Sequence, residues 1–130
     1  MASQKEENAK QLLHALAKSI SSLIFGSFEE VGEITFEDKE TEEKYNKYIT
    51  LAEEGKINEA ENALYGDRDL ENQEDLRMAL RFFDYINQYT NEYLEKCDYS
   101  RIEIKDGMDS VLQEFGYNGF DGIDALDEYF

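Results

Sequence analysis

The sequence predicts an all-α fold, a single-domain helical bundle of about five helices. Three observations support this: apolar residues recur at helical spacing in several segments, the 130-residue chain contains no proline, and 41% of its residues are hydrophobic. A proline inside a helix removes a hydrogen bond and clashes with the preceding turn, so its absence leaves long helices unbroken. The length is that of one domain with a single core.

The segment Asp75–Tyr89 is the expected centre of the fold. Its apolar residues follow the spacing of one helix face: Leu76, Ala79, Leu80, Phe83 and Ile86. Phe82, Tyr85 and Tyr89 widen this face, so we expect the helix to contact neighbours on two sides. Asn72 is the expected N-cap of this helix.

Residues 9–25 predict an amphipathic first helix that ends at Gly26. Six large aliphatic side chains share one face of it: Leu12, Leu13, Leu16, Ile20, Leu23 and Ile24. A connector over residues 27–40, with a short extended piece at Glu33–Phe36, is long for a helical bundle. We expect the later helices to close a core among themselves, which leaves these six residues to form the contact of a homodimer.

Two other uses of the first helix remain open. Such a face most often belongs to the core of its own chain. It can also lie on a membrane surface, although the weak positive charge of this segment disfavours that use.

The helical body is expected over residues 41–116. Its first part, residues 41–64, predicts two helices separated by Gly55, and the local pattern LAEEGKINEAENAL resembles a tetratricopeptide-like helical hairpin. In that motif a glycine at the turn and an alanine five residues later, here Ala60, allow two helices to pack closely. Only one copy is present, and a solenoid needs about three, so we expect one hairpin within a bundle.

The end of the body contains a short helix, Asn91–Lys96, and a last helix that begins at Ser100. Glu103 lies three residues after Ser100, as in a capping box. Gly107 inside this helix costs about 1 kcal/mol relative to alanine and so indicates close packing. The tail, residues 117–130, is rich in Gly and Asp but has apolar side chains that can dock on the body: Phe120, Ile123, Leu126, Tyr129 and Phe130.

The charge of the chain limits its partners. The net charge is −18, with 31 acidic and 13 basic side chains. Such a surface repels nucleic acid and anionic membranes, so no direct nucleic-acid contact is expected. Cys97 is the single cysteine, which excludes an internal disulfide and favours a cytoplasmic location. No apolar run of about 18 residues is present, so we expect no membrane span.

Two segments carry a resemblance to a known family. They are Asn8–Gly26, which includes ALAKSISSLIFG, and Leu80–Tyr117, which reads LRFFDYINQYTNEYLEKCDYSRIEIKDGMDSVLQEFGY. Together they resemble a family of small, acidic, all-helical proteins of Firmicutes bacteria, known as a domain of unknown function. The resemblance covers about half of the chain and implies a helical bundle in the bacterial cytoplasm. It carries over no catalytic residues, and the tail after Gly116 is not part of it.

No residue pattern indicates a catalytic, cofactor-binding or metal-binding site. His14 is the only histidine and is expected to be an ordinary helical residue. Cys97 has no net positive neighbourhood and is expected to be inert. Asp84, which lies between two aromatic residues, is the one acid that merits inspection.

A calcium loop is also not expected. Asp67, Asp69 and Glu71 follow the spacing of EF-hand ligands, but Asn72 and Met78 stand where that loop needs glycine and glutamate.

The function expected from these observations is a non-enzymatic protein–protein interaction or scaffold module that self-associates. A DNA mimic is the alternative, and it requires acids in two rows at about phosphate spacing. A hydrolase with buried carboxylates is the third hypothesis, and a buried carboxylate in a cleft would favour it.

Overall fold

The computed structural model of the protein describes residues 3–28, 34–118 and 130. The described residues form six helices and no strand, in one compact domain. The helices are α1 (Gln4–Phe25), α2 (Lys39–Glu53), α3 (Ile57–Asp67), α4 (Gln73–Ile86), α5 (Asn91–Lys96) and α6 (Arg101–Glu114). None of these helices is both long and apolar enough to cross a membrane.

The helix boundaries follow from local side-chain chemistry. The side chains of five N-cap residues accept a hydrogen bond from a backbone N–H in the first turn of their helices: Ser3, Asp38, Asn72, Thr90 and Ser100. These bonds satisfy N–H groups that have no partner within the helix. Gly26 ends α1 with a φ of 82° and Gly55 lies between α2 and α3 with a φ of 83°, a region that favours glycine. The predicted caps at Asn72 and Ser100 are therefore confirmed.

Helix α4 is the centre of the domain, as the sequence predicts. It contacts α1, α2 and α6, and ten of its 14 residues are buried. Phe82 and Phe83 are fully buried on two sides of it: the ring of Phe82 meets Tyr48 of α2 edge to face, with centroids 6.1 Å apart, and Phe83 faces α6. The core is thus arranged around one helix that is covered by neighbours on most of its sides.

The packing of α6 on α4 depends on Gly107. A Cβ atom at this position would lie 2.4 Å from Cε1 of Phe83. No side chain fits in that space, so the backbone of α6 approaches the phenyl ring directly. The close packing predicted at Gly107 is confirmed.

Helix α1 differs from the prediction in its length and in its role. It begins at Gln4 rather than at residue 9, because Ser3 supplies its N-cap. It packs against α4 and α6, and its residues Leu13, Ala17 and Ile20 belong to the hydrophobic core. The expectation that the later helices close the core among themselves is therefore wrong: without α1, one side of α4 would be left uncovered.

The region after α1 partly matches the expected organisation. The connector ends at Asp38, and Ile34–Phe36 form neither helix nor strand, whereas Glu33 lies outside the described residues. Helices α2 and α3 pack on each other across Gly55, and Ala60 is fully buried. A tetratricopeptide-like geometry for this pair remains a prediction. Of the tail residues expected to dock, Phe120, Ile123, Leu126 and Tyr129 lie outside the described residues, and Phe130 packs against the core.

Candidate functional site

An open cleft of about 260 Å³ lies between α1 and the C-terminal half of α4. One wall comes from α1 and the other from α4 and the turn that follows it. Its lining residues are Glu7, Lys10, Gln11, His14, Asp84, Tyr85, Asn87 and Gln88. Asn87 holds the two walls together, since its side-chain amide donates a hydrogen bond of 2.9 Å to the backbone oxygen of Lys10.

The cleft contains a histidine–aspartate pair. Nδ1 of His14 lies 2.8 Å from Oδ1 of Asp84, whose side chain is only 4% exposed, whereas that of His14 is 41% exposed. An ionised carboxylate only accepts hydrogen bonds, so Nδ1 carries the hydrogen and donates it. Nε2, on the opposite side of the ring, is left for a second partner. The buried acid therefore orients an accessible imidazole.

An aromatic contact further restrains the imidazole. The ring of Phe28 meets His14 edge to face, with centroids 5.7 Å apart, and the guanidinium of Arg81 lies 4.1 Å from the centroid of Phe28. Arg81 is 4% exposed, and its Nε and Nη1 atoms have no hydrogen-bond partner. Its charge is thus stabilised in part by the face of Phe28. The connector after α1 therefore begins by packing beside the cleft.

A row of three half-buried tyrosines continues from the cleft along the surface. Tyr85 lines the cleft, its ring centroid is 5.9 Å from that of Tyr89, and Tyr89 is 4.5 Å from Tyr93. The hydroxyl of Tyr85 donates to Glu53 at 2.9 Å, and that of Tyr93 donates to the backbone oxygen of Ala52 at 2.8 Å. We call Tyr85, Tyr89 and Tyr93 the tyrosine row.

The hydroxyls of the tyrosine row are held in their neutral form. Burial, followed by the hydrogen bond and charge of Glu53, raises the pKa of Tyr85 above its usual range. Burial and the neighbouring Tyr85 raise the pKa of Tyr89 more strongly, and burial also raises that of Tyr93. The row therefore presents neutral aromatic rings, with the hydroxyls of Tyr85 and Tyr93 bonded to Glu53 and Ala52 and that of Tyr89 buried.

Two other buried charged groups hold elements of the fold together. Asp75 is fully buried and accepts hydrogen bonds of 2.7 Å from Thr41, Lys44 and the backbone N–H of Asp69, which ties α2 to the start of α4. The guanidinium of Arg101 donates to the backbone oxygens of Asn87 and Tyr89 and to the side chain of Asn91, and so clasps the turn between α4 and α5. Both groups therefore have a role in the fold itself.

The structure separates the six predicted interface residues of α1. Leu13 and Ile20 are buried in the core of their own chain. Leu12, Leu16 and Ile24 are half-buried. Leu16 and Ile24 pack against that core, whereas Leu12 does not. Leu23 alone among the six is exposed, at 75%. The face that the sequence pattern assigned to a partner is thus largely used within the chain.

The candidate residues for chemistry are placed as follows. His14 and Asp84, which the sequence presents as separate features, are brought together from positions 70 residues apart. No local pattern indicates this pair, although a lone histidine and an acid within an aromatic helix each stand out. Cys97 is buried next to Gly55. Asp67 accepts hydrogen bonds from Lys47 and Tyr48.

The described part of the chain contains no group of three or more His, Cys, Asp or Glu side chains arranged to hold a metal ion. The cleft has one imidazole and two carboxylates from Glu7 and Asp84, and the latter is engaged with His14. Its chemical capacity is therefore to bind hydrogen-bonding groups and, through Nε2 of His14, to accept a proton.

The model of a family of unknown function, DUF6483, matches residues 4–116 and so covers all six helices. No curated protein and no solved structure matches the chain.

Proposed function

Since the chain belongs to the DUF6483 family of unknown function, we propose its role from the site itself: a protein–protein interaction module whose partner docks on the tyrosine row and the adjoining cleft. The observation that carries this proposal is the continuous run of half-exposed aromatic rings from Tyr85 to Tyr93. Tyrosine is enriched among the residues that dominate binding energy at protein interfaces.

The chemistry of the surrounding surface indicates the kind of partner. Among the described residues, the large aliphatic side chains that are exposed are scattered over separate elements: Leu23, Leu70 and Ile102. The tyrosine row is instead bordered by Glu53, which accepts from Tyr85, and the whole chain carries a net charge of −18. A basic partner surface would be attracted over long range, and its arginines can stack on tyrosine rings.

The test is affinity capture from the native host with the full-length protein, followed by measurement of the dissociation constant for the captured partner. Tyr85→Ala and Tyr93→Ala should each weaken binding by at least about 1 kcal/mol, the threshold that marks residues important for binding. Tyr117→Ala is the matched control, because Tyr117 is a half-buried tyrosine that bonds to Gln73 away from the row. Equal capture by all four proteins would refute the proposed surface.

Self-association remains part of the proposal, with a contact other than the buried face of α1. Leu13 and Ile20 are core residues, so deletion of α1 would unfold the chain rather than test a dimer. The appropriate test is to measure the mass of the full-length protein by light scattering at tens of micromolar, together with the variants Leu23→Glu and Tyr93→Glu. A dimer that only Tyr93→Glu disrupts would show that the second copy uses the tyrosine row. Disruption by Leu23→Glu alone would show that it uses the exposed end of α1.

A hydrolase is the second candidate, and the His14–Asp84 pair favours it. An acid that orients an imidazole, with Nε2 left for a second partner, is the arrangement of a general base and its orienting group. We therefore propose a direct comparison of the wild type with His14→Asn on ester and phosphomonoester substrates. Turnover that disappears in His14→Asn would establish an enzyme. Equal rates in the two proteins would argue against a hydrolase that uses His14 and would favour the interaction module.

The surface of α2 does not favour the DNA mimic. Its acids are interspersed with lysines, and Lys44 and Lys47 pair with Asp75 and Asp67 at 2.7 Å. A phosphate mimic requires uninterrupted rows of negative charge, which this helix lacks. A nucleic-acid-binding protein recovered in the capture experiment would revive this hypothesis.

A bacterial cytoplasmic location completes the proposal. It is supported by the single cysteine, which is buried and reduced, and by the acidic composition. Fractionation of the native host followed by immunodetection tests it directly.

A further inference from the structure

A small polar cavity of about 60 Å³ lies where the beginnings of α1, α5 and α6 meet. Glu6 and Ala9 line it from α1, Asn91 from α5 and Arg101 from α6, and Phe130 forms another part of its wall. Two of these residues carry charge and are nonetheless buried, Glu6 at 7% exposed and Arg101 at 6%. We call this cavity the α1–α6 chamber.

Asn91 brings the two charged groups together. Its backbone N–H donates a hydrogen bond of 2.9 Å to Oε1 of Glu6, and its side-chain oxygen accepts one of 2.8 Å from Nη2 of Arg101. Burial lowers the pKa of the Arg101 guanidinium below its usual range, and the negative charge of Glu6 offsets part of this shift. The carboxylate and the guanidinium therefore lie near each other, against the same residue of the chamber wall.

One polar atom of each charged group lacks a hydrogen bond. Both Nη atoms of Arg101 are bonded, to Asn87, Tyr89 and Asn91, and Oε1 of Glu6 is bonded to Asn91. Oε2 of Glu6 and Nε of Arg101 are shielded from solvent, and neither has a hydrogen-bond partner within the described part of the chain. Buried polar atoms are costly unless they are hydrogen-bonded, so this acceptor and this donor each call for a partner inside the chamber.

The size of the chamber limits what that partner can be. A water molecule takes up about 30 Å³ in the liquid, whereas a cavity that binds benzene has a volume of about 150 Å³. The chamber, at about 60 Å³, therefore has room for one or two water molecules and is too small for a side chain of another protein or for an organic cofactor.

The charges of the chamber favour a neutral ligand. The carboxylate of Glu6 would repel an anion, and the guanidinium of Arg101 would repel a cation. The ligand must also donate a hydrogen to Oε2 and accept one from Nε, because an ionised carboxylate only accepts and a guanidinium only donates. Water is small and neutral and does both.

We propose that the α1–α6 chamber is a binding site for an ordered water molecule that donates to Oε2 of Glu6 and accepts from Nε of Arg101. This water completes the hydrogen bonding of both charged groups and links the beginning of α1 to the beginning of α6. Internal waters that satisfy buried polar groups in this way are part of a protein structure. The chamber does not include the tyrosine row, so the proposal is independent of the function proposed above.

The first test is nuclear magnetic resonance of the full-length wild-type protein. The Nε–H proton of Arg101 should show a rotating-frame cross-peak to water with the sign of a dipolar contact, as opposed to the sign of proton exchange. This measurement needs no substitution, so it does not depend on the folding of a variant. Absence of the cross-peak, or a cross-peak with the exchange sign alone, would overturn the proposal.

A matched pair of variants tests whether Glu6 holds the water. Magnetic relaxation dispersion of the solvent counts the water molecules that tumble with a protein, and Glu6→Met should lower the amplitude by the contribution of one molecule. Glu7→Met is the control and should leave the amplitude unchanged, because Glu7 is the next acid of α1 but lines the cleft and not the chamber. Thermal melting shows whether each variant is folded.

Three results of the second test would overturn the proposal. The first is an unchanged amplitude in folded Glu6→Met, and the second is an equal loss in Glu6→Met and Glu7→Met. The third is a crystal structure in which Oε2 of Glu6 bonds directly to Nε of Arg101, or in which an ion lies between them. If Glu6→Met does not fold, the cross-peak of the wild type decides the question.

Discussion

At the scale of single residues, Gly107 shows how one missing side chain determines a helix crossing. A Cβ atom there would lie 2.4 Å from Cε1 and 2.5 Å from Cζ of Phe83, which is itself fully buried and held against Phe82. The phenyl ring cannot move without disturbing the centre of α4. Glycine at this position therefore lowers the helix propensity of α6 but allows α6 and α4 to approach closely.

Gly107→Ala should destabilise the protein by about 1–3 kcal/mol, the usual cost of overpacking, even though alanine is about 1 kcal/mol better than glycine within a helix. Chemical denaturation gives the measurement. The double variant Gly107→Ala/Phe83→Leu should lose less stability than the sum of the losses of the two single variants, because the leucine relieves the clash. Additive losses would show that the ring and the glycine are not coupled.

Glu61 provides a residue-scale test of pH dependence. Burial raises the pKa of its carboxyl above the usual range, and the hydrogen bond of 2.8 Å from the hydroxyl of Tyr99 only partly offsets this. Since the folded-state pKa is raised, the stability linked to the protonated form is present below the pKa of the unfolded chain and is lost as the pH rises through the folded-state value. The ionised carboxylate is therefore a cost to the fold near neutral pH.

Glu61→Gln should remove this cost and keep an acceptor for Tyr99. We expect the variant to have a higher melting temperature than the wild type at pH 7 and the same melting temperature at pH 4. Glu59→Gln, on the exposed side of the same helix, is the control and should show no such difference in pH dependence. A variant less stable than the wild type at pH 7 would show that the charge is well solvated or paired.

At the scale of helices, the start of α6 is defined by Ser100. Its hydroxyl oxygen accepts from the backbone N–H of Glu103 at 3.4 Å and donates to Oε2 of Glu103 at 3.0 Å. The carboxylate thus bonds to the hydroxyl of the cap residue, whereas a full capping box would bring it to the backbone N–H. The predicted N-cap bond is therefore present, whereas the return bond that completes a capping box is replaced by this side-chain contact.

Ser100→Ala should cost roughly 0.5–2 kcal/mol of stability, the range for loss of an N-cap. Glu103→Ala should cost less, because the cap bond to the backbone survives it. Chemical denaturation of both variants provides the comparison, with Thr90→Ala as a second cap for reference, since Thr90 accepts from the N–H of Tyr93 at 3.1 Å. Equal losses for Ser100→Ala and Glu103→Ala would contradict this assignment.

Helix α1 joins the body through both apolar and polar contacts. Leu13 and Ile20 enter the core, His14 bonds to Asp84, and Oε1 of Glu6 accepts from the backbone of Asn91. These contacts extend over several turns of the helix. Four of the six aliphatic residues that suggested a partner therefore lie in or against the core of their own chain, and Leu12 and Leu23 do not.

Leu13→Ala should cost about 2–5 kcal/mol, as for a buried leucine, whereas Leu23→Ala should change stability by no more than about 0.5 kcal/mol. Denaturation midpoints of the two variants test the placement of α1 in its own core. If the two leucines prove equally important, α1 is buried in a different way, for example between two copies.

At the scale of the whole molecule, charge opposes compactness. The chain has 31 acidic and 13 basic side chains, and its first 25 residues hold three of the lysines against two glutamates. The net negative charge therefore lies on the remainder. Ion pairs such as Lys44–Asp75 and Lys47–Asp67 offset only part of it.

Raising the salt concentration from about 10 to 150 mM should raise the melting temperature, because the Debye length falls from about 30 to 8 Å and self-repulsion is screened. Differential scanning calorimetry at constant pH measures this. Sodium chloride and potassium chloride should act alike, since the effect comes from ionic strength. A flat or falling curve would show that the paired acids outweigh the repelling ones.

What the sequence by itself determined about this protein is its local structure: the all-α class, the central role of residues 75–89, the caps at Asn72 and Ser100, and the glycine-dependent packing at Gly107. Such features depend on hydrogen bonds and side-chain periodicity within a few residues, so they are visible in the order of amino acids. Only the tertiary structure decided that α1 packs in its own core and that His14 meets Asp84 across 70 positions. Both depend on how the helices pack around α4. An amphipathic pattern predicts that one face of a helix is buried, but it does not specify which surface covers that face.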